Sequence, residues 1–182
     1  MTVENPSPGA ARPGLPSPLP GVPAAAAWLG LSGLIPFLGG AVALALLDGP
    51  AGRLAQDLVA GYGAVILSFM GGCRWGFVAA GVGAAGAETA GGDADSAAEG
   101  SDETRETWLR YALSVVPALY AWPVLVMADP ARPALLGVGF LLLLAADVRL
   151  ARRGGAPAWW PTLRWPLSLG AAGAMFAAAA LA

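Results

Sequence analysis

Apolar residues run through this chain in five long blocks rather than in the short alternations of a soluble fold. The blocks cover 24–47, 58–81, 108–128, 133–148 and 162–181, and stretches rich in Gly, Pro, Arg or acids separate them. A helix needs about 20 apolar residues to cross the hydrocarbon core of a bilayer. The pattern therefore predicts an all-α integral membrane bundle of five transmembrane helices, with the termini on opposite sides. The fourth block is the shortest, and its span relies on Arg132 and Arg149 reaching from its ends to the headgroups.

The connections differ in kind. Residues 1–23 hold seven of the sixteen prolines and few large apolar residues, so they predict a disordered tail. The tail lacks the basic start of a signal peptide and the several arginines of a transit peptide. The block that follows is too long for a cleaved segment and reads as a retained anchor. Residues 84–107, rich in Gly, Ala, Ser and acids, predict a flexible, solvated connection. Their acids lack the spacing of a calcium-binding loop, and no metal site is expected there.

Composition sharpens this picture. Hydrophobic residues make up 57% of the chain and charged residues 12%, against about 45–50% and about 25% in soluble domains. Seven of the twelve acids fall within 88–106, leaving the rest of the chain too sparsely charged for a globular surface. The single Cys73 excludes a disulfide scaffold, and a net charge of −2 without any lysine argues against nucleic-acid binding. Histidine is absent, so no imidazole base, Ser-His-Asp triad or histidine-ligated heme or zinc is available. No glycine-rich loop precedes a lysine. The expectation is a non-enzymatic protein without a cofactor.

Arginines set the orientation, because cytoplasmic loops carry the excess of positive charge. Arg12, Arg105, Arg110, Arg149, Arg152, Arg153 and Arg164 fall on one side of the predicted membrane, and only Arg53 and Arg132 on the other. The N-terminus is therefore expected in the cytoplasm and the C-terminus outside. Trp28, Trp108, Trp159 and Trp160 cluster at the same cytoplasmic level, where indoles favour the headgroup layer.

Two features within the spans suggest packing or binding. Ala60, Ala64, Ser68, Gly72, Gly76 and Ala80 recur every fourth residue along span two, a ridge of small residues that lets another helix approach closely. Contact within this chain is the expected use, with a homodimer seam or a protein partner as the alternative. Arg74 lies on roughly the opposite face, and an arginine facing lipid is costly. Asp147 of span four is its expected partner. Arg110 and Arg164 enter their spans at similar depth, which makes the cluster net positive. This predicts a basic pocket of Arg74, Arg110, Asp147 and Arg164 for an anionic lipid headgroup or small solute. A plain fold-locking Arg74–Asp147 pair competes with that reading. Pro36 and Pro117 sit mid-span and predict kinks, which fold alone can explain but which also occur at transporter sites.

Four stretches carry a family resemblance: WLGLSGLIPF at 28–37, YGAVILSFMGGCRWGF at 62–77, RYALSVVPALYAW at 110–122, and GFLLLLAADVRLARRGGAPAWWPTLRWPLS at 139–168. The second is the most distinctive, through Tyr62, Gly63, Leu67, Ser68, Phe69, Gly71, Gly72, Arg74, Trp75 and Gly76. The fourth matches through Asp147, Arg149, Leu150, Arg152, Pro157 and Trp159. The chain resembles a bacterial member of the transmembrane protein 69 family, a domain of unknown function. The resemblance implies a small multi-pass membrane protein, here of the bacterial inner membrane, and supplies no catalytic residues. A scaffold or lipid-interacting protein is expected, with a small-solute or ion transporter using Arg74 and Asp147 as the alternative.

Overall fold

A computed structural model of the chain describes residues 15–82, 96–127 and 131–181. Among the described residues, six helical segments follow in order: α1 (Ala24–Ser32), α2 (Ile35–Leu46), α3 (Gly49–Ala79), α4 (Ser96–Val126), α5 (Arg132–Arg152) and α6 (Trp160–Ala180). No strand occurs among the described residues.

The first predicted span is two helices. Pro36 stands in the first turn of α2 and lacks the N–H that would continue the ladder of α1. The chain turns at Gly33 and Leu34 and restarts. Tyr62 of α3 donates a 2.9 Å hydrogen bond to the Gly33 carbonyl, pairing an acceptor at the break.

Among the described residues, Ala24–Leu46, Gly49–Ala79, Thr104–Val126 and Arg132–Arg152 are long and apolar enough to cross a bilayer. The fourth predicted span thus lengthens, because the arginines at its ends are taken into the helix. Apolarity falls short instead in α6, whose first turns hold Arg164 and two prolines. Yet α6 has the same 21 residues as α5 and lies antiparallel along it. Gly137 meets Met175 and Phe176 near one end of this pair, and Asp147 meets Arg164 near the other. Arg164 points inward, whereas Trp165, Leu169 and Phe176 face out. α6 is accordingly the fifth membrane helix of the bundle.

From α2 onward, neighbours in sequence run antiparallel. Phe37 of α2 packs on Tyr62 of α3, and Trp75 of α3 on Tyr111 of α4. Tyr120 of α4 covers Gly139 of α5. The core is built of small and medium residues, including Ala60, Ala64, Leu67, Leu136, Phe140 and Met175. Large apolar side chains such as Leu29, Val42, Phe69, Leu119, Trp122 and Leu142 point outward, as a lipid-facing surface requires.

Two connections differ from expectation. Residues 84–95 of the predicted acidic loop lie outside the described residues, but from Ser96 onward the chain is already α4. Acids in the opening turns of a helix favour its N-terminal dipole, and a formed membrane helix supplies the nucleus for extension. Residues 1–14 of the predicted tail also lie outside, whereas within 15–23 Leu19 and Val22 pack on the bundle. Val22 is buried with Ala27 and Leu163, and Trp28 Nε1 donates to the Pro16 carbonyl at 3.2 Å. Apolar Leu19 and Val22 give this end of the tail something to bury, which proline content alone concealed.

The ridge of small residues divides. Ala60 and Ala64 are buried and Ser68 half-buried, but Gly72 and Gly76 are exposed, with open space around them. A strict four-residue spacing advances about 40° per step on a helix of 3.6 residues per turn. The row therefore winds off the packed face, and Gly63 and Gly71 make the close approaches instead. A Cβ at Gly71 would run into the Ser114 carbonyl oxygen of α4. Gly71→Ala should therefore destabilise the detergent-solubilised protein by about 1–3 kcal/mol, read as a lower thermal midpoint. The adjacent Gly72→Ala, meeting open space, should leave the midpoint unchanged or raise it.

Candidate functional site

Three charged side chains meet at one depth. Arg74 lies five residues before the end of α3, Asp147 five before the end of α5, and Arg164 four after the start of α6. Because α3 and α5 run parallel and α6 opposes them, these offsets coincide about 7 Å inside one end of the bundle. The same end carries Arg110, Arg149, Arg152 and Arg153, whereas Arg53 and Arg132 lie at the other.

The tight pair is Asp147 with Arg164. Arg164 Nε donates to Asp147 Oδ2 at 2.7 Å, and the two residues are 0% and 1% exposed. The guanidinium is held from two further directions. Nη1 donates to Met70 Sδ of α3 at 2.7 Å, and the Trp160 ring centroid lies 5.7 Å from the guanidinium carbon. Trp160 is itself fixed by an edge-on contact with Phe77 of α3.

Arg74 is held more loosely. Its Nε lies 3.7 Å from Asp147 Oδ1, an ion pair beyond hydrogen-bond distance. Oδ1 has no hydrogen-bond partner among the described residues. Arg110 stands apart and donates at 2.8 Å to Glu106, one turn earlier on α4. The four residues expected to form one basic pocket thus separate. The short connection between α5 and α6 brings Arg164, not Arg74, into hydrogen bonding with Asp147, which is fully buried. Arg74 and Arg110 face a common cleft of about 40 Å³, also lined by Val78, Leu113, Leu150 and Gly155.

A larger cavity of about 270 Å³ adjoins this cleft at Arg74 and Leu113. Its walls come from α3, α4 and α5, and include Leu67, Val116, Tyr120, Gly139 and Leu142. Arg74 is its one charged wall residue. Leu113, Val116 and Leu142 are exposed, so the groove opens sideways toward the bilayer. Tyr120 closes the far end, with its hydroxyl donating at 2.6 Å to the Leu135 carbonyl and its ring against Gly139. The site therefore joins a cationic end near the membrane interface to an apolar trough. Of its apolar residues, Pro117 stood out in the sequence as a mid-span kink and Leu67 within the family signature, and the others resemble ordinary lipid-facing or core positions. Only the missing side chain of Gly139 hints at a close approach.

Residues 22–180 match the family described as "Protein of unknown function (DUF3429)". The chain belongs to the DUF3429 family. It is also 33% identical, over 142 residues, to Transmembrane protein 69 of Xenopus tropicalis. That alignment covers 78% of this chain and 48% of the relative, so the chain spans about half the length of the curated relative it matches. No solved structure matches it. The DUF3429 region takes in all six helices, and with them the whole arginine layer and the groove.

Breaking the buried pair of this DUF3429 protein from one side leaves a charge without its partner. Asp147→Leu should therefore destabilise the bundle by about 3–5 kcal/mol. Joint replacement of Asp147 and Arg164 by leucine should recover most of that loss. Unfolding of the purified variants in graded denaturing detergent measures both effects.

Proposed function

We propose that this DUF3429 protein is a non-enzymatic, multi-pass protein of the bacterial inner membrane that holds an anionic lipid at its arginine layer. The observation that carries this reading is the groove between α3, α4 and α5. It is apolar, opens to the bilayer through Leu113, Val116 and Leu142, and ends at Arg74 with Arg110 beyond. A ligand suited to it enters from the lipid phase and carries a negative head and an apolar body. Guanidinium groups suit such heads through charge-assisted hydrogen bonds.

Orientation follows from the same charges. The end that carries the arginine layer is the cytoplasmic one under the positive-inside rule, with the N-terminus cytoplasmic and the C-terminus outside. Transport of a solute by Arg74 and Asp147 is the second reading. It requires a water-reachable polar cavity, whereas the cavity beside Arg74 is otherwise apolar and Asp147 is fully buried. Assembly with a protein partner or a second copy has its best surface on α3. There the exposed Gly72 and Gly76 leave room for another helix.

Native mass spectrometry of the protein extracted with its membrane lipids tests the proposal. The wild type should retain anionic phospholipid, Arg74→Gln should lose most of it, and Arg110→Ala should lose part. Equal lipid content in all three proteins, or none in the wild type, would count against it.

A further inference from the structure

We infer that the groove is shaped for a single-chain, monoanionic amphiphile with a compact head, a long-chain carboxylate. This rests on the anionic-lipid reading above and narrows its ligand class. Three observations converge on it: the charge of the layer, the size of the head cleft and the form of the trough.

Charge sets the valence. Around the layer, the guanidinium groups of Arg74, Arg110 and Arg164 face the carboxylates of Asp147 and Glu106. Arg164 is committed to Asp147, and Arg110 to Glu106. Arg74 is left with only a distant share of Asp147, so one positive charge near the hydrocarbon is incompletely balanced. A single negative charge matches Arg74, the one guanidinium lining the groove and the one without a hydrogen-bonded carboxylate. A phosphate monoester, with close to two charges near neutral pH, would overshoot.

Size sets the head. The cleft between Arg74 and Arg110 measures about 40 Å³, room for about three waters. A carboxylate fits wholly within that space, whereas a glycerophosphate with its attached alcohol would extend out of it. Guanidinium and carboxylate also match in planar geometry, and Arg74 turns only its Nε toward Asp147.

Form sets the tail. The trough measures about 270 Å³ and follows α4 from Leu113 to Tyr120, and the adjoining head cleft extends the site to the level of Arg110. Ten residues of helix make this about 15 Å. The trough volume leaves room for one chain rather than two, and the Tyr120 ring over Gly139 borders it. One acyl chain lies along it, and the open side between Leu113 and Leu142 is its entry from the bilayer.

Titration of the purified full chain in detergent with oleate, followed by native mass spectrometry, tests the inference. Oleyl alcohol, butyrate and dioleoyl phosphatidylglycerol serve as comparison probes. Oleate should bind one to one, with oleyl alcohol and butyrate each weaker by about tenfold or more, lacking the head or the chain. Arg74→Gln should weaken oleate by about tenfold or more, and Ala146→Phe, which fills the trough without removing a charge, should abolish binding. A thermal midpoint near the wild-type value shows that Ala146→Phe is folded. Should Arg74→Gln fail to fold, Ala146→Phe and the neutral alcohol still decide the matter.

Phosphatidylglycerol bound through Arg74 without stoichiometric oleate would overturn this inference and leave the anionic-lipid reading standing. Failure of both probes to bind the wild type would overturn both. Wild-type oleate binding by a folded Ala146→Phe would remove the trough from the account.

Discussion

A carboxylate with no exposure to solvent, set between two guanidinium groups, governs the arrangement of half the bundle. Asp147 binds Arg164 directly and attracts Arg74, so α3, α5 and α6 must meet at one depth. Burying such a group in a membrane is unfavourable unless it is paired, and each partner alone would be equally costly. Few registers of the three helices place all three charges together. The pairing thus contributes less to net stability than to selecting one packing among many apolar alternatives. Met70 and Trp160 extend the same logic, since they occupy sides of the guanidinium that Asp147 leaves uncovered.

Beyond this layer the bundle is held by proximity rather than by expulsion of water. Lipid is as apolar as leucine, so helices gain from contact only where their backbones approach closely. Glycine serves this at Gly71, against the Ser114 carbonyl, and at Gly139, beneath the Tyr120 ring. Both positions also border spaces on α4: Gly71 lines the shallow α3–α4 surface, and Gly139 floors the trough. The close contacts and the cavity are therefore two outcomes of one distribution of small residues. Where a glycine faces a small serine the backbones meet, and where it faces a tyrosine a channel remains beside the ring.

Much of this architecture was legible from the sequence, for reasons that particular residues make clear. The apolar blocks marked the helices because a bilayer demands uninterrupted length, and Pro36 marked the break because it lacks a donor wherever it stands. Asp147 stood out as a lone acid in a span, so its need for an arginine was evident. Which arginine was not. Arg74 and Arg164 lie at the same depth, and only the tight α5–α6 connection gives Arg164 the hydrogen bond. The ridge from Ala60 to Ala80 misled because a spacing of four is close to, but not equal to, the helical period. Its drift becomes decisive over five steps. The start of α4 was hidden by composition, since glycine, serine and acids describe a loop and the opening of a helix alike. The trough itself was hidden, because a cavity is a relation among Leu67, Val116, Gly139 and Leu142 on three helices, and neither the signature at Leu67 nor the kink at Pro117 marks its residue as a wall.

Arg74 is where the structural and the proposed binding roles meet. Were it bonded to Asp147 as Arg164 is, its charge would be satisfied and the trough would end in an inert wall. Were it free of Asp147, an arginine at this depth would be drawn outward to the headgroups, leaving the trough apolar throughout. Its separation of 3.7 Å from Oδ1 is intermediate: the carboxylate orients the side chain without neutralising it. Arg164 makes this possible by holding Asp147 still. The fully buried pair and the half-committed arginine are thus one device, in which the first fixes the second at the mouth of the groove. The family signature around Arg74 and that around Asp147 are far apart in sequence, but physically they describe a single site.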